Sequence, residues 1–371
     1  MKSTTLLGRL GSAALHAVGP AVASGVDVIA SRALMYRSSA AVSRSASESK
    51  GPAERVVALR AIAAAYGDPA LYTTPALLFG EPRRIEPSQR DVGRFDRGGV
   101  IGDVIDLAWP SRLGPYLTSL DARVREVTEN HTARARWIRG RGAGARPLAI
   151  LVHGYRGGSF PFEERAWPIA ALLRRGLDVV LAQLPHHADR ARPKSAPRFP
   201  GSDPRMTNEG FAQAIRDLRD LVQWGRGRGA PAVIAAGMSL GGFSVSLLGT
   251  VEPLDFLVPF IPLVSLADTA RDGGRLVGTP AEQMTQHEAL SDAYRVVSPL
   301  SRPPLLPKER VLVVGAVGDR ITPLEHARRI AAHFDADLVT FPGGHLLQLG
   351  RGAGFRAILE RLATVGITTG E

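Results

Sequence analysis

The sequence predicts an α/β fold, in which a mostly parallel central sheet is covered by helices on both faces. Two observations indicate this fold class. From residue 147 onward, continuous apolar runs such as PLAILVHGY alternate with segments of helical periodicity such as NEGFAQAIRDLRDLVQWG. In addition, the polar residues that suggest chemistry stand directly after the apolar runs, where the carboxyl ends of parallel strands gather functional groups.

The elements after residue 147 follow one another in a regular order. After PLAILVHGY, the stretch RAWPIAALLRRG predicts a helix that ends at Gly176, and LDVVLAQL predicts a second strand. Further buried strands are expected in PAVIAAG, LDFLVPFIPLV, RVLVVGAVGD and ADLVTFPGG. Because parallel neighbours need crossover connections, helices between these strands indicate parallel pairing.

Upstream of residue 147 the pattern is less regular. The stretch VVALRAIAAAY predicts a helix that stops near Gly67 and Pro69. In DARVREVTENHTARARWIRG, apolar and polar residues alternate on both sides of the turn-like ENHT, which predicts a β-hairpin.

These patterns divide the chain into three parts. Residues 1–50, which include a Ser- and Ala-rich stretch from residue 37, are expected to form an appendage and linker. Residues 51–120 are expected to form a helical and irregular extension packed on the core. The main α/β domain is assigned to residues 121–371, with a short helical cap insert at residues 265–310.

Composition excludes several classes of function. The 371 residues carry 46 basic and 35 acidic side chains, for a net charge of +11, but the arginines are scattered and form no basic arm. We therefore expect no nucleic-acid partner. The chain has no cysteine, which rules out disulfides, thiolate catalysis and thiolate metal sites.

The N-terminal stretch leaves the compartment open. It has a basic start and an AVA tripeptide, as signal peptides do, but its apolar centre is weak. No window approaches the roughly 18 uninterrupted apolar residues of a membrane span. The expectation is a cytoplasmic protein; export and peripheral membrane contact through residues 1–50 are the alternatives.

The stretch GMSLGG predicts a nucleophile. Ser239 follows the apolar run VIAAG and is flanked by Gly237 and Gly241, so the G-x-S-x-G pattern stands between a strand and a helix, as a nucleophile elbow requires. Side chains at the two glycines would collide with the neighbouring helix or strand. A plain helix N-cap is the alternative role for this serine.

A serine hydroxyl needs a base and an acid that orients the base. His345 follows VTFPGG, and Asp319 ends RVLVVGAVGD, so both stand on loops that leave strands. The order Ser239, Asp319, His345 is the hydrolase order. Asp268, which follows the preceding strand, remains open as a substitute acid.

The stretch HGYRGG predicts an oxyanion hole, in which backbone N–H groups stabilise a developing negative oxygen. The donors would be the N–H groups of Tyr155 and Leu240. His153 and Gly154 are then expected to organise the loop. No metal site is expected, because the adjacent His186 and His187 lack a second ligand cluster.

Taken in order and spacing, HGYRGG, GMSLGG, GDRITP and PGGH resemble the α/β-hydrolase superfamily across residues 147–371. The resemblance implies an α/β-hydrolase fold, a serine nucleophile, an acyl-enzyme intermediate and no cofactor. More narrowly, DLAWPS, ARARWIRG and LVHGYRGG are similar to bacterial relatives of the alpha/beta-hydrolase domain-containing protein 18 family.

The resulting functional hypothesis is a serine hydrolase that cleaves a carboxylic ester of a small-molecule or lipid acyl substrate. Lipid deacylation, thioester hydrolysis, acyl transfer and peptide cleavage by the same three residues remain open. A hypothesis of another class is a non-catalytic, membrane-associated binding module.

Overall fold

The structure is a computed structural model, and it describes Pro20, Ala21, residues 23–25, Asp27, residues 51–142 and residues 144–369. The predicted linker from residue 37 to residue 50, and most of the predicted appendage, lie outside the described residues. Among the helices described, none is both long and apolar enough to span a bilayer.

The described residues form one mixed sheet of nine strands. The strands are β1 (Ser88–Arg97), β2 (Val100–Pro110), β3 (Thr132–Gly140), β4 (Leu148–Val152), β5 (Asp178–Ala182), β6 (Val233–Met238), β7 (Phe256–Phe260), β8 (Leu312–Ala316) and β9 (Asp337–Phe341). Their spatial order is β1-β2-β3-β5-β4-β6-β7-β8-β9. The six strands β4 to β9 pair in parallel with one another. Strands β1, β2 and β3 extend the sheet beyond β5 in antiparallel pairing.

The register brings the carboxyl ends of the parallel strands to one edge. Val152 at the end of β4 pairs with Ala182 of β5 and Gly237 of β6, and Ala316 of β8 pairs with Phe341 of β9. Loops that leave these strands therefore start close together in space. That edge carries every residue that the sequence proposed as catalytic.

Helices cover both faces of the sheet. They are α1 (Pro52–Ala65), α2 (Ala70–Thr73), α3 (Ala76–Phe79), α4 (Asp121–Arg125), α5 (Phe160–Ala166), α6 (Ile169–Arg174), α7 (Pro204–Gly227), α8 (Leu240–Leu248), α9 (Leu266–Asp272), α10 (Pro280–Tyr294), α11 (Leu324–His333) and α12 (Arg351–Thr364). Short 3₁₀ turns occupy Thr118–Leu120, Thr128–His131, Ala188–Arg190, Arg295–Val297 and Lys308–Arg310.

The core lies on both sides of the sheet because side chains alternate along each strand. Ile150 of β4 belongs to a cluster with α7, α8 and α11, whereas its neighbour Leu151 belongs to a second cluster with α5, α6 and α12. Burial on both faces is the reason why the central strands are continuous apolar runs without alternation. The predicted fold class, α/β with a mostly parallel central sheet covered by helices on both faces, is confirmed.

The hairpin predicted at residues 121–140 is wrong. Its first half folds as α4 and a 3₁₀ turn, and only the second half is a strand, β3. β3 pairs antiparallel with β2 and with β5, and it is β1 and β2 that form a hairpin. Alternation alone did not distinguish a short helix from a strand, since Val124 is buried within α4 and Val127 is buried between α4 and the 3₁₀ turn.

The boundary placed at residue 121 is also wrong, because β1 and β2 belong to the same sheet as the main domain. The residues before and after these two strands pack on α7. Glu209 of this helix is buried and accepts hydrogen bonds from the Tyr66 hydroxyl at 2.8 Å and from the Tyr116 and Leu117 N–H groups at 2.8 and 3.1 Å. One carboxylate therefore satisfies three donors of the extension.

The predicted cap insert contains α9 and α10, between β7 and β8. A capping box of Thr279 and Glu282 begins α10. The insert contacts the start of the extension, where the Arg55 guanidinium donates a hydrogen bond to the Arg275 carbonyl at 3.3 Å.

Replacing Glu209 tests the attachment of the extension. We expect Glu209→Ala to lower the free energy of unfolding by about 3 kcal/mol, because it leaves buried donors without an acceptor. Chemical denaturation measures this loss. The control is Glu360→Ala on the exposed face of α12, for which a change within about 0.5 kcal/mol is expected. Equal stability of the two variants would contradict this account of the extension.

Candidate active site

The nucleophile candidate lies on a strained turn. Ser239 connects β6 to α8 with φ 56° and ψ −113°, a backbone conformation that side-chain-bearing residues rarely adopt. Its N–H donates to the Phe260 carbonyl at 3.0 Å, and its carbonyl accepts from the Leu263 N–H at 3.1 Å. The turn is therefore held by the chain that leaves the neighbouring strand β7.

The glycines around the turn have no room for a side chain. A Cβ added at Gly237 would lie 2.2 Å from the Gly241 carbonyl oxygen, and one at Gly241 would lie 2.2 Å from the Val152 carbonyl oxygen. At Gly242 an added Cβ would lie 2.8 Å from the Pro262 Cα. Because these contacts are with backbone atoms, no side-chain rotation relieves them.

The loop after β4 lies against the nucleophile. A Cβ added at Gly154 would lie 3.3 Å from the Ser239 Cβ and 3.9 Å from its Oγ. His153 is buried and bridges two strand ends: its Nδ1 lies 2.7 Å from the Gly154 carbonyl oxygen, and its Nε2 accepts from the Leu184 N–H at 3.0 Å. Both ring nitrogens are thus engaged in holding the loop.

Burial, together with the charge of the neighbouring His187, lowers the pKa of His153 to about 3. The ring is therefore neutral at physiological pH, with the proton on Nδ1 facing the carbonyl. The two contacts of the ring join the loop after β4 to the chain after β5.

The two proposed oxyanion donors lie on this loop and on α8. Leu240 is the first residue of α8, so its N–H has no acceptor within the helix. Tyr155 occupies a turn closed by the hydrogen bond from the Gly157 N–H to the Gly154 carbonyl, and that bond does not use the Tyr155 N–H. Both groups are placed on the segments that flank Ser239.

The Asp319 carboxylate is buried and fully partnered. Its Oδ1 accepts from the N–H groups of Ile321 at 2.8 Å and Thr322 at 2.7 Å. Its Oδ2 lies 2.8 Å from His345 Nδ1 and 2.9 Å from Thr322 Oγ1. The loop amides therefore orient one oxygen, which leaves the other aimed at the imidazole.

The His345 side chain is only 11% exposed. Burial alone would lower its pKa, but the charge of Asp319, the hydrogen bond to that carboxylate and the charge of Asp27 together raise the pKa of His345 above its usual value. Because Nδ1 faces Asp319, the other ring nitrogen, Nε2, is the one available to exchange a proton.

Asp268, the alternative acid, lies in a different cluster. Its carboxylate pairs with His287 Nε2 at 2.7 Å and with the Arg329 guanidinium at 2.7 Å. These partners belong to the insert and to α11. The structure thus brings Asp319, and not Asp268, to His345.

The two adjacent histidines after β5 point to separate partners. His186 Nε2 lies 3.2 Å from Asn130 Nδ2, and His187 Nδ1 lies 2.9 Å from the Pro185 carbonyl oxygen. Within the described ranges, no group of three or more His, Asp or Glu side chains is arranged to hold a metal ion.

Two residues of the site were missed by the sequence reasoning. Thr322 belongs to the GDRITP motif but received no role, although its hydroxyl lies 3.1 Å from the Ile261 carbonyl oxygen and 3.0 Å from His345 Nδ1. Thr322 therefore connects the loop between β8 and α11, which carries Asp319 and is called the acid loop, to the chain after β7. That chain also forms hydrogen bonds with the backbone of Ser239. The second is Asp27, assigned to the appendage; it is fully buried and accepts from the His345 N–H at 2.6 Å.

Comparison with known proteins identifies relatives of this chain. A model of the alpha/beta hydrolase family matches residues 149–358. A protein of Mycobacterium tuberculosis, described as uncharacterised and recorded for two strains, is 34% identical over 210 residues, which cover 54% of this chain and 50% of the relative. The chain thus spans about half the length of the curated relatives it matches.

Solved structures share the fold at low sequence identity. An acetyl xylan esterase from Paenibacillus sp. R4 superposes with a TM-score of 0.52 at 14% identity, over 78% of this chain and 92% of the other. Acetyl xylan esterase 1 from Thermoanaerobacterium sp. superposes with a TM-score of 0.53 at 16% identity, over 79% and 94%.

The close approach of α8 to β4 predicts the effect of a side chain at Gly241. Gly241→Val should destabilise the protein by about 3 kcal/mol, because the start of α8 must move away from the Val152 carbonyl. Thermal unfolding measures the loss. In the control, Gly227→Ala, the added Cβ meets nothing within 4 Å, so unchanged or slightly higher stability is expected. Wild-type stability of Gly241→Val would contradict the packing described for this turn.

Proposed function

The chain belongs to the alpha/beta hydrolase family, and we propose that it is a serine hydrolase that cleaves a carboxylic ester through an acyl-enzyme intermediate. One observation carries the proposal. Ser239 stands at φ 56° on a turn with no room for side chains beside it, at the same sheet edge as the hydrogen-bonded pair of Asp319 and His345. Strain of this kind costs of order 1–3 kcal/mol, and it persists at sites where it serves a function.

In the first step, Ser239 Oγ attacks the carbonyl carbon of the ester while His345 Nε2 takes the hydroxyl proton. The carbonyl π pair moves onto oxygen, where the N–H groups of Tyr155 and Leu240 stabilise the negative charge. When this intermediate collapses, the bond from carbon to the alcohol oxygen breaks and the departing oxygen takes the proton from Nε2. The product is an alcohol and an acyl-serine.

In the second step, water replaces the alcohol. His345 Nε2 takes a proton from water as the water oxygen attacks the acyl carbon, and it returns the proton to Ser239 Oγ as the acyl bond breaks. Asp319 keeps its charge throughout and stabilises the imidazolium that forms twice in the cycle. The raised pKa of His345 is consistent with that role, because Asp319 favours the charged ring.

The ester is the preferred substrate class, and the acyl group is that of a small molecule or a lipid. Both acetyl xylan esterases that share the fold act, by their names, on acetyl esters, and at this identity they supply an analogy. Thioesters, amides and acyl acceptors other than water would use the same serine, so a panel of substrates graded by acyl length and leaving group distinguishes them.

Covalent labelling tests the nucleophile and also separates an enzyme from a binding module. We expect a fluorophosphonate probe to modify the wild-type protein and not Ser239→Ala. The matched control is Ser246→Ala, which removes a buried serine of α8 whose hydroxyl donates only to the Gly242 carbonyl at 2.7 Å. This control should label like the wild type. A folded wild-type protein that resists the probe would remove the proposal.

Substitution of the two aspartates tests the acid. Asp319→Asn should lower kcat by about 10⁴-fold, because the amide no longer stabilises the imidazolium or selects the tautomer with the proton on Nδ1. Asp268→Asn should keep kcat near the wild-type value, since its partners are His287 and Arg329. Steady-state kinetics on an activated ester measure both. A large loss in Asp268→Asn with normal Asp319→Asn would reverse the assignment.

A further inference from the structure

The two loops that carry the proposed acid and base each have a glycine immediately before the functional residue. Gly318 precedes Asp319, and Gly344 precedes His345. A Cβ added at Gly318 would lie 2.7 Å from the Pro20 carbonyl oxygen, and one at Gly344 would lie 2.6 Å from Asp27 Oδ2. Both loops therefore approach the described N-terminal residues as closely as backbone allows.

The Asp27 side chain binds backbone N–H groups of the loop between β9 and α12, which carries His345 and is called the base loop. Its Oδ2 accepts from the N–H of His345 at 2.6 Å and from the N–H of Arg320 at 3.2 Å, while its Oδ1 accepts from the N–H of Leu346 at 2.9 Å. Arg320 follows the acid, and the other two donors are the base and its successor. One carboxylate thus connects both loops.

Ser24 lies about one helical turn before Asp27, and the described residues of this segment are helical. Its hydroxyl donates to the Gly318 carbonyl at 2.8 Å and lies 3.4 Å from Arg320 Nε. The same segment therefore also contacts the loop after β8, at the residues on either side of Asp319.

The energetics of Asp27 make these contacts strong. The residue is fully buried, and a buried carboxylate is costly unless it is hydrogen-bonded. Hydrogen bonds from backbone N–H groups to a carboxylate are roughly twice as strong as those between neutral groups. Since Asp27 binds the backbone of His345, movement of the base away from Asp319 would leave a buried charge with fewer donors.

We propose that the described N-terminal residues form part of the catalytic centre, with Asp27 as the positioning residue that holds His345 against Asp319. The inference rests on the proposed function, because it assigns a role within that reaction. Residues 1–50 are then more than an appendage, because some of them belong to the site at the carboxyl ends of the strands.

The charge of Asp27 has a second effect that a purely structural contact would lack. The charged groups that act on His345 are Asp319, from the loop after β8, and Asp27, from the N-terminal segment, and both raise the pKa of His345. A base works in its neutral form, so activity should rise as the pH passes this pKa. Removing the charge of Asp27 lowers the pKa and moves the acidic limb of the pH profile to lower pH.

The test uses the full chain with Asp27→Asn, in which an amide NH₂ replaces one of the accepting oxygens. We expect kcat on an activated ester to fall by ~10²-fold, as for a misplacement of about 1 Å, with KM little changed and the acidic limb at lower pH. The rate of fluorophosphonate labelling should fall in parallel.

The matched control is Asp178→Asn. Asp178 is also buried and also accepts a backbone hydrogen bond, from Gly140 at 2.9 Å, but it stands at the amino end of β5, away from the site. Its substitution should lower the unfolding temperature and leave kcat and the pH profile of the folded protein unchanged.

The outcomes separate this inference from the proposed function. If the wild-type protein is neither labelled by the fluorophosphonate probe nor active on the activated ester, the proposed function fails. If the wild type is active and folded Asp27→Asn has wild-type kcat and pH profile, the role of Asp27 fails alone. Should Asp27→Asn not fold, Ser24→Ala decides, because it removes the contacts of this hydroxyl with Gly318 and Arg320 and leaves Asp27 in place. A lowered kcat supports the inference, whereas an unchanged kcat overturns it.

Discussion

The approach of α8 to the strands β4 and β6 is the constraint on which the site depends. Helix and strands are so close at this point that carbonyl oxygens occupy the space where side chains of Gly237 and Gly241 would lie. The chain can make the connection only by a sharp turn, and Ser239 therefore takes an unfavourable backbone conformation. The cost is offset by burial of α8, whose residues are all inaccessible in the core.

The other parts of the site follow from the same sheet edge, because strands β4, β6, β8 and β9 end together there. Each loop that leaves the edge is tied by buried polar contacts: His153 joins the ends of β4 and β5, Thr322 joins the acid loop to the chain after β7, and Asp27 holds the base loop. In a site of low dielectric constant such contacts are stronger than in water, and an unpaired group is costly. The tightly satisfied network thus gives each loop one arrangement.

The sequence predicted the parts that depend on local pattern. Strands buried on both faces are apolar throughout, and the residues after them, such as Ser239 and His345, could be placed at one edge. The hairpin at residues 121–140 was wrong because alternation over a few residues also fits a short helix. The roles of Thr322 and Asp27 depend on contacts between distant segments, with Asp27 and His345 separated by 318 positions, and no local pattern encodes such a contact.

The proposed function depends most directly on a covalent acyl intermediate at Ser239. The most direct measurement is rapid-quench mass spectrometry of the protein during turnover of an activated acetyl ester. We expect one acetyl group per chain, on the peptide that contains Ser239, formed at the rate of the first alcohol release and absent in Ser239→Ala. Hydrolysis at the wild-type rate in Ser239→Ala, or acetyl found only on other residues, would contradict it.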